Sequence, residues 1–415
     1  MSEILGTQRD SYSGDVILQN LEMGTRDGFG HVAKGWLEQC QTFDQGLERL
    51  SAEQEKIEDI TAPLKDWEPV ISGGVFRLKY KDGRMFTPTE HCYTNFAYVG
   101  NMGYWALQSL TKPVLHTSKR DKTTGEKAVV YNRDSRDAEV LKDYIRVHMF
   151  QADRVNMDKP RLWRTWNDGT LRALLSDRYT IINNLWYLEL LKKLIPGGVL
   201  SHWGGDADTI YGNVLIPDTI REERDSDYGG MLHVGNSEIG IRRLLSRPSV
   251  FRAICLNGCI WDREDGKDLS KVHRGKKVDL TLLAEAVKSN LQSQIPLLGG
   301  GIDAMLATRS LVTGDTPLRN IFALVAKEQR FKRSDIEGVM KSFHIEEDIL
   351  GPDARTAFGL QAALTRFGQS LGPEGQYHFD VLGGKIVKMG TTGWERLLKK
   401  AAMFDDSEVE EILAA

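Results

Sequence analysis

Apolar and polar residues alternate along two stretches, and each stretch turns at an Asp-Gly pair. The first is Val75-Phe76-Arg77-Leu78-Lys79-Tyr80, continued by Arg84-Met85-Phe86 beyond Asp82-Gly83. The second is Leu162-Trp163-Arg164-Thr165-Trp166, continued by Thr170 to Leu175 beyond Asp168-Gly169. Period-two alternation predicts strands, and Asp-Gly suits the positive φ of a tight hairpin turn. Helical spacing appears at Lys34 to Ile60, through Leu37, Phe43, Leu47 and Leu50, and again at Ile182 to Leu194 and Leu280 to Gln294. Thr87-Pro88-Thr89-Glu90 predicts a helix start, with Thr87 as cap and Glu90 closing a capping box, and the helix running through Tyr98 toward Leu110. Pro196-Gly197-Gly198 stops the helix before it.

Strands are predicted at Val199 to Trp203, Ile210 to Ile216 and Met231 to Val234. A helical or mixed segment, Ile239 to Leu256, follows, with Pro248 as a potential break. Gly299-Gly300-Gly301 reads as a flexible joint, and the chain from there to about Lys400 as mainly helical. The last dozen residues are acidic and are expected to fray. The pattern defines an α+β chain: a central, mostly antiparallel sheet with helices packed on it, followed by a helical C-terminal region. It divides into an N-terminal arm, helix and start of hairpin (1–85), a central α+β domain (86–278) and a mainly helical part (279–415).

The 415 residues are 41% hydrophobic, enough for a sizeable core, and no window approaches the roughly 18 apolar residues of a membrane span. Met1 to Asp15 lacks the cationic and apolar parts of an export signal, so a cytoplasmic protein with reduced thiols is expected. The formal charge is only −4, but it is unevenly placed. Residues 205–240 hold 8 acidic and 2 basic side chains (−6), whereas 241–278 hold 10 basic and 4 acidic (+6). Such polarity fits a phosphate-binding face, or two charged faces that neutralise one another.

Candidate chemistry narrows the choice. Asp206 and Asp208, with Asp218 and Glu238, have the carboxylates of a metal-dependent nuclease, although acidic residues in a Gly-rich turn are more often simply solvated. Cys255, Cys259 and His273 lack the second pair of a structural zinc site, and the apolar neighbours of the two thiols favour burial. There is no P-loop, and Gly235 to Gly240 has the wrong spacing for a nucleophile elbow. No cofactor is expected.

Arginines and aromatics form the stronger pattern. Arg161, Arg164, Arg172 and Arg178 line the central hairpin and its end, and Arg242, Arg243, Arg247 and Arg252 follow the Asn-Ser-Glu turn. A continuous helix there would bring Arg243, Arg247 and Arg252 toward one face. Guanidinium groups offer forked donors to phosphate. Trp163, Trp166, Trp203 and Tyr211 offer flat surfaces to unpaired bases. The competing reading places the tryptophans in the core and pairs the arginines with the acidic block.

Four stretches together resemble the phage/plasmid-like family of prophages and conjugative plasmids, a family without an assigned mechanism. They are Arg172-Ala173-Leu174-Leu175-Ser176-Asp177-Arg178-Tyr179, Gly235-Asn236-Ser237-Glu238-Ile239-Gly240, Arg252 to Ile260, and Thr356-Ala357-Phe358-Gly359-Leu360-Gln361-Ala362-Ala363-Leu364-Thr365. His273-Arg274-Gly275 matches a basic triplet of the family, and the resemblance covers about Phe86 to Lys388. It implies a mobile-element setting. The motifs also have structural readings: Asn236 or Ser237 as the cap of a following helix, with Glu238 at its positive end. The element order of helix, three strands and basic helix is similar to that of Rad52-like single-strand annealing proteins. The expectation is a homo-oligomeric protein that binds and anneals single-stranded DNA without nucleotide hydrolysis, through Arg161, Arg164, Arg172, Arg178, Trp203, Arg242, Arg243, Arg247, Arg252 and Arg274. A nuclease centred on Asp206, Asp208 and Glu238, and a host-interaction or anti-defence protein, are the alternatives.

Overall fold

The computed structural model describes residues 40–72, 75–99, 157–205, 208–223, 226–253, 257–260, 278–371 and 373–414, with short pieces at 37, 115–116, 130–131 and 143. Two six-stranded sheets form the frame. The first has the order β1 (Gln41–Thr42), β10 (Val199–Gly205), β11 (Thr209–Glu222), β12 (Asp227–Ser237), β13 (Leu245–Arg252), β14 (Asn257–Ile260), antiparallel throughout. The second has the order β2 (Ile57–Pro63), β8 (Pro160–Trp166), β9 (Thr170–Ser176), β5 (Met85–Pro88), β4 (Val75–Tyr80), β3 (Trp67–Ser72). Its one parallel pairing joins β5 to β9. A small ribbon pairs β6 (Leu115–His116) with β7 (Val130–Tyr131). The chain has the α+β architecture that its pattern predicts.

Both Asp-Gly pairs turn as expected. Gly83 and Gly169 have φ of +95° and +82°. The preceding aspartates accept backbone N–H bonds from Arg84 (3.0 Å) and Thr170 (2.8 Å). Helix α1 (Phe43–Gln54) is shorter than the predicted one. Thr42 and Gln45 form its capping box, and from Ile57 the chain is strand, with Ile60 and Ala62 turned inward. Helix α2 (Glu90–Val99) is capped by Thr89 rather than Thr87, because the Thr87 N–H already donates to Gly169 in the second sheet. Helix α3 (Asn184–Leu194) takes its cap from Asn183, whose side chain accepts the Trp186 N–H, and buries Tyr187, Leu188 and Leu191.

The C-terminal part is helical: α4 (Leu280–Gln294), α5 (Leu298–Ala307), α6 (Leu318–Gln329), α7 (Arg333–Leu350), α8 (Ala357–Gln369), α9 (Pro373–Lys388), α10 (Gly390–Ala401) and α11 (Asp406–Ala414). Two expectations fail there. Gly299-Gly300-Gly301 is the start of α5 rather than a joint. Leu298 beside it packs so closely on β12 that a Cβ at Gly230 would fall 2.6 Å from its Cδ1. The acidic end is not frayed, because α11 buries Val409 and pairs Asp406 with Arg319 of α6.

The largest core joins α3, the first sheet and the C-terminal helices, through Tyr187, Leu191, Val214, Leu232, Val234, Leu298, Ile302, Phe358 and Phe367. A second core belongs to the other sheet and α2, with Trp67 stacked on Trp163 at 4.2 Å. The division expected at residue 85 therefore falls inside β5, and the second sheet takes strands from both sides of it.

The largest correction concerns Ile239 to Leu256. From Ile239 to Ala253 the segment is a turn followed by β13, not a helix, and residues 254–256 lie outside the described residues. Pro248 fits because it lies just outside the four residues, Ser249 to Arg252, that pair with β14. The similarity of element order to the annealing proteins thus loses its basic helix. Arg247 and Arg252, five apart on a strand, point to opposite faces.

Candidate nucleic-acid interface

Two of the resembling motifs meet where the sheets join. Tyr179, at the end of the first, donates from its hydroxyl to the Ser237 carbonyl at 3.1 Å. Its ring lies against Gly240, whose φ is +83°. Ser237 does not cap a helix; its Oγ accepts the N–H groups of Ile239 (3.3 Å) and Ile241 (3.1 Å) and shapes the turn. Asn236 instead donates to the Ile182 carbonyl and the Asn184 side chain. Glu238 does stand at the positive end of a helix, but of α3, which precedes it: one oxygen accepts the Asn184 N–H at 2.5 Å. The other accepts from Arg164. From α2, the His91 ring contacts the Ile239 carbonyl at 2.9 Å.

This junction removes several predicted residues from any phosphate-facing surface. Arg164 is 2% exposed and is held by Asp59 (2.9 Å) and Glu238. Burial opposes its charge, yet the bonds to Asp59 and the charge of Glu238 hold its pKa above the usual value. Burial pushes the Glu238 carboxyl up, against the pull of Arg164. Arg172 bonds Asp208 and stacks 4.2 Å from the Trp166 ring. Arg252 is 3% exposed and, with Arg366, grips the fully buried Glu346 of α7. Burial works against the Glu346 charge, but the two arginines outweigh it and lower its pKa. Trp203 is core, and Trp163 is buried in its stack on Trp67. These groups brace the frame. Arg161 is half-buried, and burial lowers its pKa.

The remaining arginines gather differently. Arg178 is exposed in the turn after β9, next to Tyr179, which holds that turn against the one carrying Arg242 and Arg243. Arg243 is exposed, and Arg242 stacks over Tyr211 at 5.5 Å. Tyr211 shares a face of β11 with Asn213, whose side chain bonds His233 at 3.0 Å. Ser201, Asn213, His233 and Arg247 lie in one register across β10 to β13. Tyr377 of α9 closes this row: its ring lies 5.2 Å from that of His233, and its hydroxyl bonds Arg247. Arg178, Arg242 and Arg243 thus gather with Tyr211 about the turn, whereas Ser201, Asn213 and His233 are buried beneath Tyr377, and Arg247 and Tyr377 are half-buried. Arg274 lies outside the described residues.

The exposed acidic residues described in the block 205–240 lie elsewhere. Asp218, Glu222 and Glu223 are exposed around the β11–β12 hairpin, at the end of β12 opposite the arginine turn. Ten residue steps of about 3.4 Å separate the ends of β12, roughly 34 Å and several Debye lengths at physiological salt.

The nuclease candidates find no such support. Asp206 lies outside the described residues, Asp208 pairs with Arg172, and both Glu238 oxygens are engaged. Among the described residues no three His, Cys, Asp or Glu gather as metal ligands would. Cys255 lies outside the described residues, and Cys259 is a residue of β14. No described helix is long and apolar enough to cross a membrane. No protein family, curated protein or solved structure matches the chain.

Proposed function

We propose that the chain binds single-stranded DNA and presents it for annealing, in the recombination or replication of a phage or plasmid. The observation that carries the reading is the group of Arg178, Arg242 and Arg243 with Tyr211, set at the pole of the first sheet away from the acidic hairpin. Arginines supply the phosphate contacts, and guanidinium–aromatic stacks supply faces against which bases lie. The resemblance to phage/plasmid-like proteins supports the setting. In this reading several copies line one strand, and annealing needs no bound nucleotide because the strand is only displayed.

Fluorescence anisotropy with labelled single- and double-stranded oligonucleotides tests it. The expected result is tighter binding of the single strand, with log affinity falling linearly against log salt at about 0.7 per phosphate contact. No binding at low salt sinks the reading, and cleavage of the oligonucleotide in Mg²⁺ or Mn²⁺ would favour the nuclease instead.

A further inference from the structure

We infer that Glu238 is a positioning residue of the proposed DNA surface: it sets the path of the turn that presents Arg242 and Arg243. The inference rests on the single-strand-binding reading. Glu238 is fully buried and touches no solvent, so it cannot itself meet a polyanion. It acts through backbone. Its N–H donates to the Asp208 carbonyl at 2.7 Å, which ties the start of the turn to the start of β11. Its carboxylate joins three elements that are distant in sequence: β8 through Arg164, 74 residues away, β2 through that arginine's bonds to Asp59, and the first residue of α3, 54 residues away.

The residues on either side reinforce this. Ser237 closes the turn through the Ile239 and Ile241 amides, and the Tyr179 hydroxyl pins the Ser237 carbonyl. The Ile239 carbonyl meets His91 at 2.9 Å. Gly240 then reverses the chain at φ +83°, and Arg242 and Arg243 follow within three residues. Strands β2, β8 and β11 and helices α2 and α3 therefore fix the stem of the turn, while its tip carries the charge. This accounts for a buried acidic residue beneath the basic turn: the carboxylate is the internal counterpart of Arg164, and the surface arginines are its readout.

The test is a cycle of substitutions read by salt titration of single-strand binding on the full chain. Glu238→Gln keeps an oxygen for the Asn184 N–H, and Arg164 keeps Asp59. The expected salt slope falls by about 1.4, the loss of two phosphate contacts at about 0.7 each. Arg242→Gln/Arg243→Gln gives the same fall. Adding Glu238→Gln to that pair weakens binding by less than about twofold further, because coupled sites are non-additive. A wild-type slope in Glu238→Gln, or equal weakening in both backgrounds, overturns the inference. Should Glu238→Gln fail to fold, Glu238→Asp carries the test, since it keeps the charge opposite Arg164 but is one methylene too short to hold both Arg164 and the Asn184 N–H. It is expected to lose the same slope, and a wild-type slope there overturns the inference equally. A wild-type chain that binds no single strand fails the underlying reading instead, and takes this one with it.

Discussion

Asp380 gives the sharpest test of how the helical part is held. It lies on α9 and is 1% exposed, and its Oδ1 has no hydrogen-bond partner. Burial alone raises its pKa well above the ordinary carboxylate value. The folded chain therefore keeps a proton on Asp380 at pH values where the unfolded chain has released it. Stability contributed by the bound proton is fully present below the unfolded pKa, near 3.9, and is lost as pH rises toward the folded one. Within that window the single site costs about 1.4 kcal/mol per pH unit. Asp380→Asn removes the ionisation and with it this part of the slope. Asp380→Leu also removes the unsatisfied oxygen, worth about 1–3 kcal/mol at neutral pH. The assay is urea unfolding of wild type and both variants at half-unit steps from pH 4.5 to 7. The difference between Asp380→Asn and wild type is expected to grow as pH rises above the unfolded pKa and to level off once the folded pKa is passed. A constant difference would refute the reasoning, because it would mean that Asp380 is ionised in the fold.

Three further outcomes follow from the packing. Arg164→Ala leaves Glu238 buried without its cation and is expected to cost about 3–5 kcal/mol in denaturant unfolding; a cost under 1 kcal/mol would contradict the buried pair. Gly359→Ala puts a Cβ 2.0 Å from the Ala354 carbonyl oxygen, which is backbone and cannot swing aside, so a loss of about 3 kcal/mol or more is expected by thermal melt. Arg178→Gln alters only an exposed side chain: its melting temperature should match wild type within about 1 °C, as surface substitutions usually do, while single-strand affinity falls.

Local chemistry made much of the fold legible. The Asp-Gly turns, most of the helix expected over Ile182 to Leu194, and the whole of α4 follow from residues within one or two turns of each other. The failures are non-local. Ile239 to Leu256 has helical-looking spacing, but its partners are the neighbouring strands β12 and β14, and pairing on both sides outweighs intrinsic preference. The arginines divide in the same way. Arg164 lies 105 residues from Asp59, and Arg252 lies 94 from Glu346, so nothing in their surroundings along the chain marks them as internal. Arg178 and Arg243 keep their exposure because their turns face outward.

The resembling motifs also change meaning in three dimensions. The stretch Thr356 to Thr365 is the buried face and core of α8, with Phe358 beside the Tyr228 ring of β12 and under Arg309. Arg252 reaches Glu346, and the two remaining motifs form the junction of the sheets. Motif residues mainly hold the frame, and the exposed arginines sit on turns that the frame presents.

The most direct measurement is photo-crosslinking of a single-stranded oligonucleotide bearing halogenated pyrimidines, followed by mass spectrometry of the attached peptides. The account predicts crosslinks at Tyr211 and within residues 237–247, lost when Arg242 and Arg243 are replaced by Gln. Crosslinks confined to the β11–β12 hairpin around Asp218 to Glu223, or none under conditions where the strand is bound, would contradict it.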